Sequence, residues 1–156
     1  MNKLMLRLVF LLALLPGLPA QADTPSACKE ADKALQSYLL ALRNHQLSAV
    51  RNYIEPATTL KVEWLDSMPS KFFTLNRDDY LQSLKASWHF GREEKLAVGP
   101  VQWQASTAAC EAGFTLIEKR LLFGNDSGQE SQLQLRWENT ASGWRVTYMK
   151  SRTRMW

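Results

Sequence analysis

Histidines can hold a metal or transfer protons when they are closely spaced, and this 156-residue sequence has only two. His45 and His89 lie 44 positions apart and form neither an H-x-H nor an H-E-x-x-H pattern. The sequence also has no G-x-S-x-G nucleophile motif, phosphate-binding loop or dinucleotide-binding fingerprint. We therefore predict neither a metal nor a cofactor.

Aromatic residues are the second candidates for function, because they can line a pocket for an apolar or ring-bearing ligand. The sequence has six Trp, four Tyr and six Phe residues. We predict that Tyr38, Trp64 and Trp103 contact such a ligand, since all three fall on predicted helices or strands. The alternative is that these side chains belong to the hydrophobic core.

Residues 1–22 have the pattern of a secretory signal peptide. Lys3 and Arg7 flank the start of an apolar run over residues 8–15, and Ala20-Gln21-Ala22 is a typical cleavage site. The run is shorter than the roughly 20 residues that a membrane-spanning helix needs. We predict cleavage near Ala22, a single domain over residues 23–156, and a periplasmic or secreted location.

Two cysteines remain after the predicted cleavage, Cys28 and Cys110. An even number of cysteines in an exported chain favours a disulfide, and we predict that these two pair. Two alternatives stay open at this point. The thiols could both be free and buried, or Cys28 could carry a lipid, for which Ser26-Ala27-Cys28 is a partial signal.

The net charge excludes one class of function. The sequence has 19 Lys and Arg against 15 Asp and Glu, a formal charge of +4. Loss of Lys3 and Arg7 with the leader lowers this charge by two, to +2. A nucleic-acid-binding domain is usually far more basic, so we predict no nucleic-acid partner.

Apolar residues at three- and four-residue steps predict the helices. They indicate one helix over residues 31–42 and a shorter one over residues 47–54, which ends before Pro56. Asn76 is a suitable N-cap for a third helix, and Gly91 is suited to end it.

Apolar and polar residues alternate at residues 60–64 and again at 71–75, and this period of two predicts a strand in each segment. After Gly91 it continues through three or four long antiparallel strands, with a hairpin loop at residues 124–128. The apolar parity switches at Gly99-Pro100, which predicts a bulge or bend. This order predicts an α+β fold with three N-terminal helices packed on a curved antiparallel sheet.

Three segments carry a family resemblance: residues 36–50 (QSYLLALRNHQLSAV), 74–81 (TLNRDDYL) and 143–146 (GWRV). They resemble the first helix pair, the entry to the third helix, and the final strand of the NTF2-like superfamily. That superfamily includes nuclear transport factor 2, ketosteroid isomerase and scytalone dehydratase. The resemblance implies a cone-shaped fold with a pocket but no single function, because its members include enzymes, ligand binders and interaction modules.

The resemblance also implies roles for individual residues. Tyr38 matches the tyrosine with which ketosteroid isomerases stabilise an oxyanion, and the catalytic carboxylate would be Glu63 or Asp66. Those isomerases place a second acid on a late strand, where this sequence has Gln132 and Gln134. This departure argues against isomerase activity.

We therefore predict an exported, non-enzymatic domain that binds a small apolar ligand or an envelope protein partner. A homodimer formed through the open face of the sheet would be compatible with this function. One alternative is an isomerase- or dehydratase-type enzyme that uses Tyr38 with Glu63 or Asp66. Another is an envelope inhibitor or scaffold protein.

Overall fold

The computed structural model describes residues 23–156 of the chain. The predicted signal peptide, residues 1–22, lies outside the described residues and stays a prediction. Within residues 23–156, no helix combines the length and the apolar character needed to cross a membrane.

Three α-helices and one short 3-10 turn form the first layer of the domain. The turn covers Ser26–Cys28, and the helices are α1 at Lys29–Arg43, α2 at Leu47–Asn52 and α3 at Arg77–Phe90. The apolar stripe predicted for α1 is buried, from Ala31 and Leu35 to Leu42. The backbone N–H of Asp79 donates to Oδ1 of Asn76 at 2.8 Å, which confirms the predicted N-cap of α3.

Seven strands form the second layer, a single sheet. They are β1 at Ile54–Trp64, β2 at Lys71–Asn76, β3 at Gly91–Val98, β4 at Gln102–Ala105, β5 at Ala109–Leu122, β6 at Asn125–Thr140 and β7 at Gly143–Met155. Their order is β2-β1-β7-β6-β5-β3, and β4 pairs with the first part of β5. Strands β1 and β7 run parallel, and the other neighbours are antiparallel.

Irregular pairing explains why the sheet is curved. The ladder shifts register between Ile54 and Thr59 in β1, between Arg92 and Lys95 in β3, and at Trp137 in β6. An extra residue on one strand of a pair bends that strand and increases its twist. The predicted arrangement, three helices packed on a curved and mostly antiparallel sheet, is confirmed.

The structure corrects two local predictions and refines a third, which it confirms. Pro56 does not stop α2 but lies inside β1, in the stretch that makes no ladder pairs with β7, so its missing N–H costs no hydrogen bond there. The hairpin loop is a two-residue turn at Phe123-Gly124, both with positive φ, because β6 already begins at Asn125. Gly91 does cap α3, but its backbone is extended and it starts β3 directly.

A disulfide ties the start of the helical layer to the sheet. Cys28 and Cys110 are bonded, as predicted, and both are buried. The bond joins the 3-10 turn before α1 to β5, across 82 positions of sequence. Beside it lies the core, in which Leu35 and Tyr38 of α1 pack with Leu135 and Trp137 of β6.

Reduction of this disulfide is expected to destabilise the domain. Because the bond closes a loop of 82 positions, its loss should lower the free energy of unfolding by roughly 2–4 kcal/mol through the entropy of the unfolded chain. Urea unfolding of the mature protein with and without dithiothreitol measures the difference. The Cys28→Ala/Cys110→Ala double variant is the control, and its unfolding should not respond to dithiothreitol. Equal stability of the oxidised and reduced wild-type protein would contradict this expectation.

Candidate ligand-binding cavity

A cavity of about 720 Å³ lies between α3, part of α1 and the inner face of the sheet. It exists because α1 covers mainly β6 and β7, whereas α3 spans β1, β2 and β3. Only Leu81 of α3 is fully buried, so the other apolar side chains of that helix border open space. The apolar residues around the cavity are Leu42, Leu60, Val62, Trp64, Phe73, Leu75, Leu84, Trp88, Leu96, Leu116, Leu133 and Met149.

Three of the five residues singled out from the sequence line this cavity: Tyr38, Trp64 and Asp66. The Asp66 carboxylate accepts the backbone N–H of Met155 at 2.7 Å, which places it at the ends of β1 and β7. The wall of the cavity therefore includes a phenol, an indole and a carboxylate from the predicted residues.

Glu63 and Trp103 lie elsewhere. Glu63 follows Val62 on β1 and so points to the opposite face of the sheet, where Arg152 donates to it at 2.8 Å. Trp103 lies on β4, and its indole N–H donates to Asp32 near the start of α1 at 3.0 Å. It borders a smaller groove of about 450 Å³ instead of the cavity.

Two tyrosine hydroxyls meet at the inner end of the helical wall. The Oη atoms of Tyr38 on α1 and Tyr80 on α3 lie 2.8 Å apart, and either can donate. Burial raises the pKa of both phenols well above the usual tyrosine value, so both are neutral across the physiological range. The ring of Tyr38 is held edge-on against Tyr53 and Trp137, which fixes the direction of its hydroxyl.

The sheet wall contributes a buried carboxyl group that the sequence analysis missed. Glu118 of β5 is only 9% exposed and lines the cavity. Burial raises the pKa of Glu118, although Arg120 and the amide of Gln129 lower it, and Glu94 nearby adds to the rise. Arg120 donates to Glu118 at 3.3 Å, and Gln129 also donates to it.

The alternation of inward and outward residues along β5 could have predicted that Glu118 lines the cavity. Ala112, Phe114 and Leu116 are the inward residues of β5, and Glu118 is the next position in the same phase. Charged side chains are seldom buried without a partner, so the residue type gave no reason to place Glu118 inside. Gln129 becomes its neighbour only when β6 pairs with β5, and Arg120 shares its face only when residues 118–120 form a strand.

A histidine–glutamate pair lies beside the cavity. His45, expected to be solvated between the first two helices, stacks on Trp88 with 4.7 Å between ring centroids. Its Nε2 lies 2.7 Å from Oε2 of Glu94, which lines the cavity. The pair therefore orients Glu94 and ties the α1–α2 connection to β3. Among residues 23–156, no group of three His, Cys, Asp or Glu residues is arranged to hold a metal ion.

Comparisons with known proteins identify the fold. No family model and no curated protein matches the sequence. The structure superposes on an NTF2-like protein from Cytophaga hutchinsonii with a TM-score of 0.62 and 6% identity, over 78% of this chain and 93% of that one.

Two further solved structures agree. A scytalone dehydratase-like protein from Novosphingobium aromaticivorans matches with a TM-score of 0.64 and 12% identity, over 81% of this chain and 83% of that one. A ketosteroid isomerase-like protein from Erwinia carotovora matches with a TM-score of 0.60 and 13% identity, over 82% and 96%. At identities this low the likeness concerns the fold alone, which is NTF2-like as predicted.

The raised pKa of Glu118 predicts how stability depends on pH. The native state holds this proton more tightly than the unfolded chain, so the wild-type protein loses stability as pH rises above the usual glutamate value of 4.5. Glu118→Gln cannot titrate, and its stability relative to wild type should therefore increase from about pH 4 to about pH 7.5. Urea unfolding at both pH values measures the change.

The matched control for this prediction is Glu111→Gln, an exposed glutamate of the same strand. Its stability relative to wild type should change less between the two pH values. A fall in the relative stability of Glu118→Gln with rising pH would contradict the assignment of a raised pKa.

Proposed function

We propose that this chain, whose fold is NTF2-like, is an exported protein that binds a small and mainly apolar ligand in the cavity between its helices and its sheet. The observation that carries the proposal is the cavity itself. Its volume of about 720 Å³ lies within the range of roughly 300–1,000 Å³ that is usual for small-molecule sites. Most of the surface of its wall is apolar, and polar side chains are interspersed among the apolar ones.

Two features support the exported location. The first 22 residues have the pattern of a signal peptide, and the Cys28–Cys110 disulfide is a bond that persists in oxidising compartments such as the periplasm. Both cysteines are engaged in that bond, which argues against a lipid on Cys28.

An envelope protein partner, a homodimer or an inhibitor or scaffold role would use the outer surface instead. Gln132, Gln134 and Arg136 alternate along β6 on the outer face of the sheet, which is polar. A polar face suits weak association better than an obligate interface. We therefore favour the ligand-binding function, which uses the cavity inside the domain.

Filling the cavity should abolish ligand binding. N-phenyl-1-naphthylamine, an uncharged fluorophore that brightens in apolar surroundings, is a suitable probe. Val62→Trp places a large ring in the cavity from β1, and we expect the affinity for the probe to fall by at least about tenfold. Fluorescence titration of the mature protein measures this change.

Lys61→Trp is the matched control, since it adds the same ring one residue earlier on the opposite face of β1. It should bind the probe as the wild-type protein does. Absence of probe binding to the wild-type protein, or an equal loss in both variants, would count against the cavity as the binding site.

A second candidate function, an isomerase-type enzyme, is favoured by one observation. Glu118, with a pKa raised by burial, lies near the hydrogen-bonded hydroxyls of Tyr38 and Tyr80. In such a reaction the ionised carboxylate would move a proton between two carbons while a tyrosine donates to the substrate oxygen. Glu118 would then take the role that the sequence assigned to Glu63 or Asp66.

The conversion of 3-cyclohexen-1-one to its conjugated isomer tests this candidate. If the protein is an enzyme of this kind, Glu118→Gln should abolish the increase in ultraviolet absorbance, and Tyr38→Phe should slow it by roughly 10²-fold. Asp66→Asn, which changes another carboxylate of the same cavity, is the control and should retain activity. A wild-type rate equal to that of buffer would leave no support for this candidate.

A further inference from the structure

Three hydroxyl groups form a chain on the sheet wall of the cavity. Ser131 of β6 and Ser151 and Thr153 of β7 all line the cavity, and each is no more than 6% exposed. Oγ of Ser131 lies 2.9 Å from Oγ1 of Thr153, which lies 2.6 Å from Oγ of Ser151. These three residues are called the hydroxyl cluster below.

The hydroxyl cluster has one O–H donor that makes no hydrogen bond within the cluster. Three O–H groups make two hydrogen bonds to one another, and within residues 23–156 these side chains make no other hydrogen bond. One O–H donor is therefore left without an acceptor among the described residues, on side chains that are no more than 6% exposed. A buried donor without an acceptor is unfavourable, so an oxygen atom of a ligand would bind there with a clear gain.

The hydroxyl cluster continues a strip of polar side chains across the sheet. On β6, Gln129 lies two residues before Ser131 on the same face, and the amide of Gln129 donates to Glu118 of β5. The helical wall carries the apolar Leu42, Leu84 and Trp88 together with the hydroxyl groups of Tyr38, Tyr80, Ser83 and Ser87. The cavity thus has polar groups on both walls, and the hydroxyl cluster belongs to the sheet wall.

Two carboxyl groups of the cavity already have partners. Glu118 pairs with Arg120 at 3.3 Å, and Glu94 pairs with His45 at 2.7 Å. Lys71 and Asp66, which also line the cavity, are both exposed, and no ion pair joins them. A charged ligand group at Glu118 or Glu94 would have to compete with the partner that each already has, which is costly in a buried site.

We infer that the ligand is an uncharged amphiphile with an alcohol or carbonyl oxygen. This oxygen accepts a hydrogen bond from the free O–H group of the hydroxyl cluster, while the apolar body of the ligand lies against α3. This inference rests on the proposed ligand-binding function. It adds which part of the ligand is polar and where that part binds. It also states that the ligand carries no charge.

Displacement of N-phenyl-1-naphthylamine by three ten-carbon competitors tests the inference. The probe has no strong acceptor for the hydroxyl cluster, so it reports on the cavity alone. Decan-1-ol offers an uncharged oxygen, 1-chlorodecane offers none, and decanoate offers a charged one. For the wild-type protein we expect decan-1-ol to displace the probe at a concentration roughly three- to tenfold lower than either of the others, as one additional hydrogen bond predicts.

The Ser131→Ala/Ser151→Ala/Thr153→Val triple variant removes all three hydroxyls and closely keeps the shapes of the side chains. It should still bind the probe, and the advantage of decan-1-ol over 1-chlorodecane should be abolished. Ser151→Ala is a second variant, which should retain the advantage because Ser131 and Thr153 share one hydrogen bond and keep one free O–H. Ser83→Ala is the matched control: Ser83 also lines the cavity, but its hydroxyl already donates to the carbonyl of Tyr80 at 2.7 Å.

Each outcome supports or overturns a separate claim. An alcohol advantage that survives in the triple variant, no advantage in the wild-type protein, or stronger displacement by decanoate would overturn the inference and leave the proposed function in place. Absence of probe and competitor binding to the wild-type protein would overturn both. Thermal unfolding of every variant verifies that it is folded, and the comparison of decan-1-ol with 1-chlorodecane on the wild-type protein supplies the test if the triple variant is not.

Discussion

The arrangement of the domain depends on where α1 packs. Its buried stripe lies against β6 and β7, where Leu35 and Tyr38 meet Leu135 and Trp137, and the disulfide fixes its N-terminal end to β5. The sheet is wider than one helix can cover, so α3 must cover the remaining strands. Because α3 buries only Leu81 completely, that half of the domain keeps open space. The domain therefore has one half that its hydrophobic core fills and another half that contains the cavity.

The polar groups of the cavity gather where these two halves meet. Tyr38 belongs to both, since its ring is part of the core and its hydroxyl reaches Tyr80 at the cavity wall. Glu118 lies on the strand next to that of Trp137, and its negative charge adds to the rise that burial causes in the pKa of both phenols. A rigid core on one side holds these groups in place, and the cavity on the other side leaves them free to meet a ligand.

Much of the fold was predictable because it follows from local patterns. The burial of α1 follows from a period of 3.6, the start of α3 follows from Asn76, and the disulfide follows from the number of cysteines in a chain with a predicted signal peptide. The site was less predictable, because parity along a strand does not say which face meets the helices once bulges intervene. Trp64 lines the cavity and Trp103 does not, although the same kind of pattern selected both. Glu118 was missed because its partner Gln129 comes from another strand and because a charged residue is seldom buried.

The position of β7 has a consequence for how the domain folds. This strand, the last in sequence, lies between β1 and β6, and it alone connects the pair β1–β2 to the strands β3–β6. Until β7 is in place, the sheet exists as two separate pieces, and its parallel pairing with β1 joins residues about ninety positions apart, such as Thr59 and Tyr148. Contacts this distant in sequence make folding slow, because a long loop must close before any of them forms. The native sheet of this domain therefore cannot be completed before β7, the last element of the chain, is available to join its two pieces.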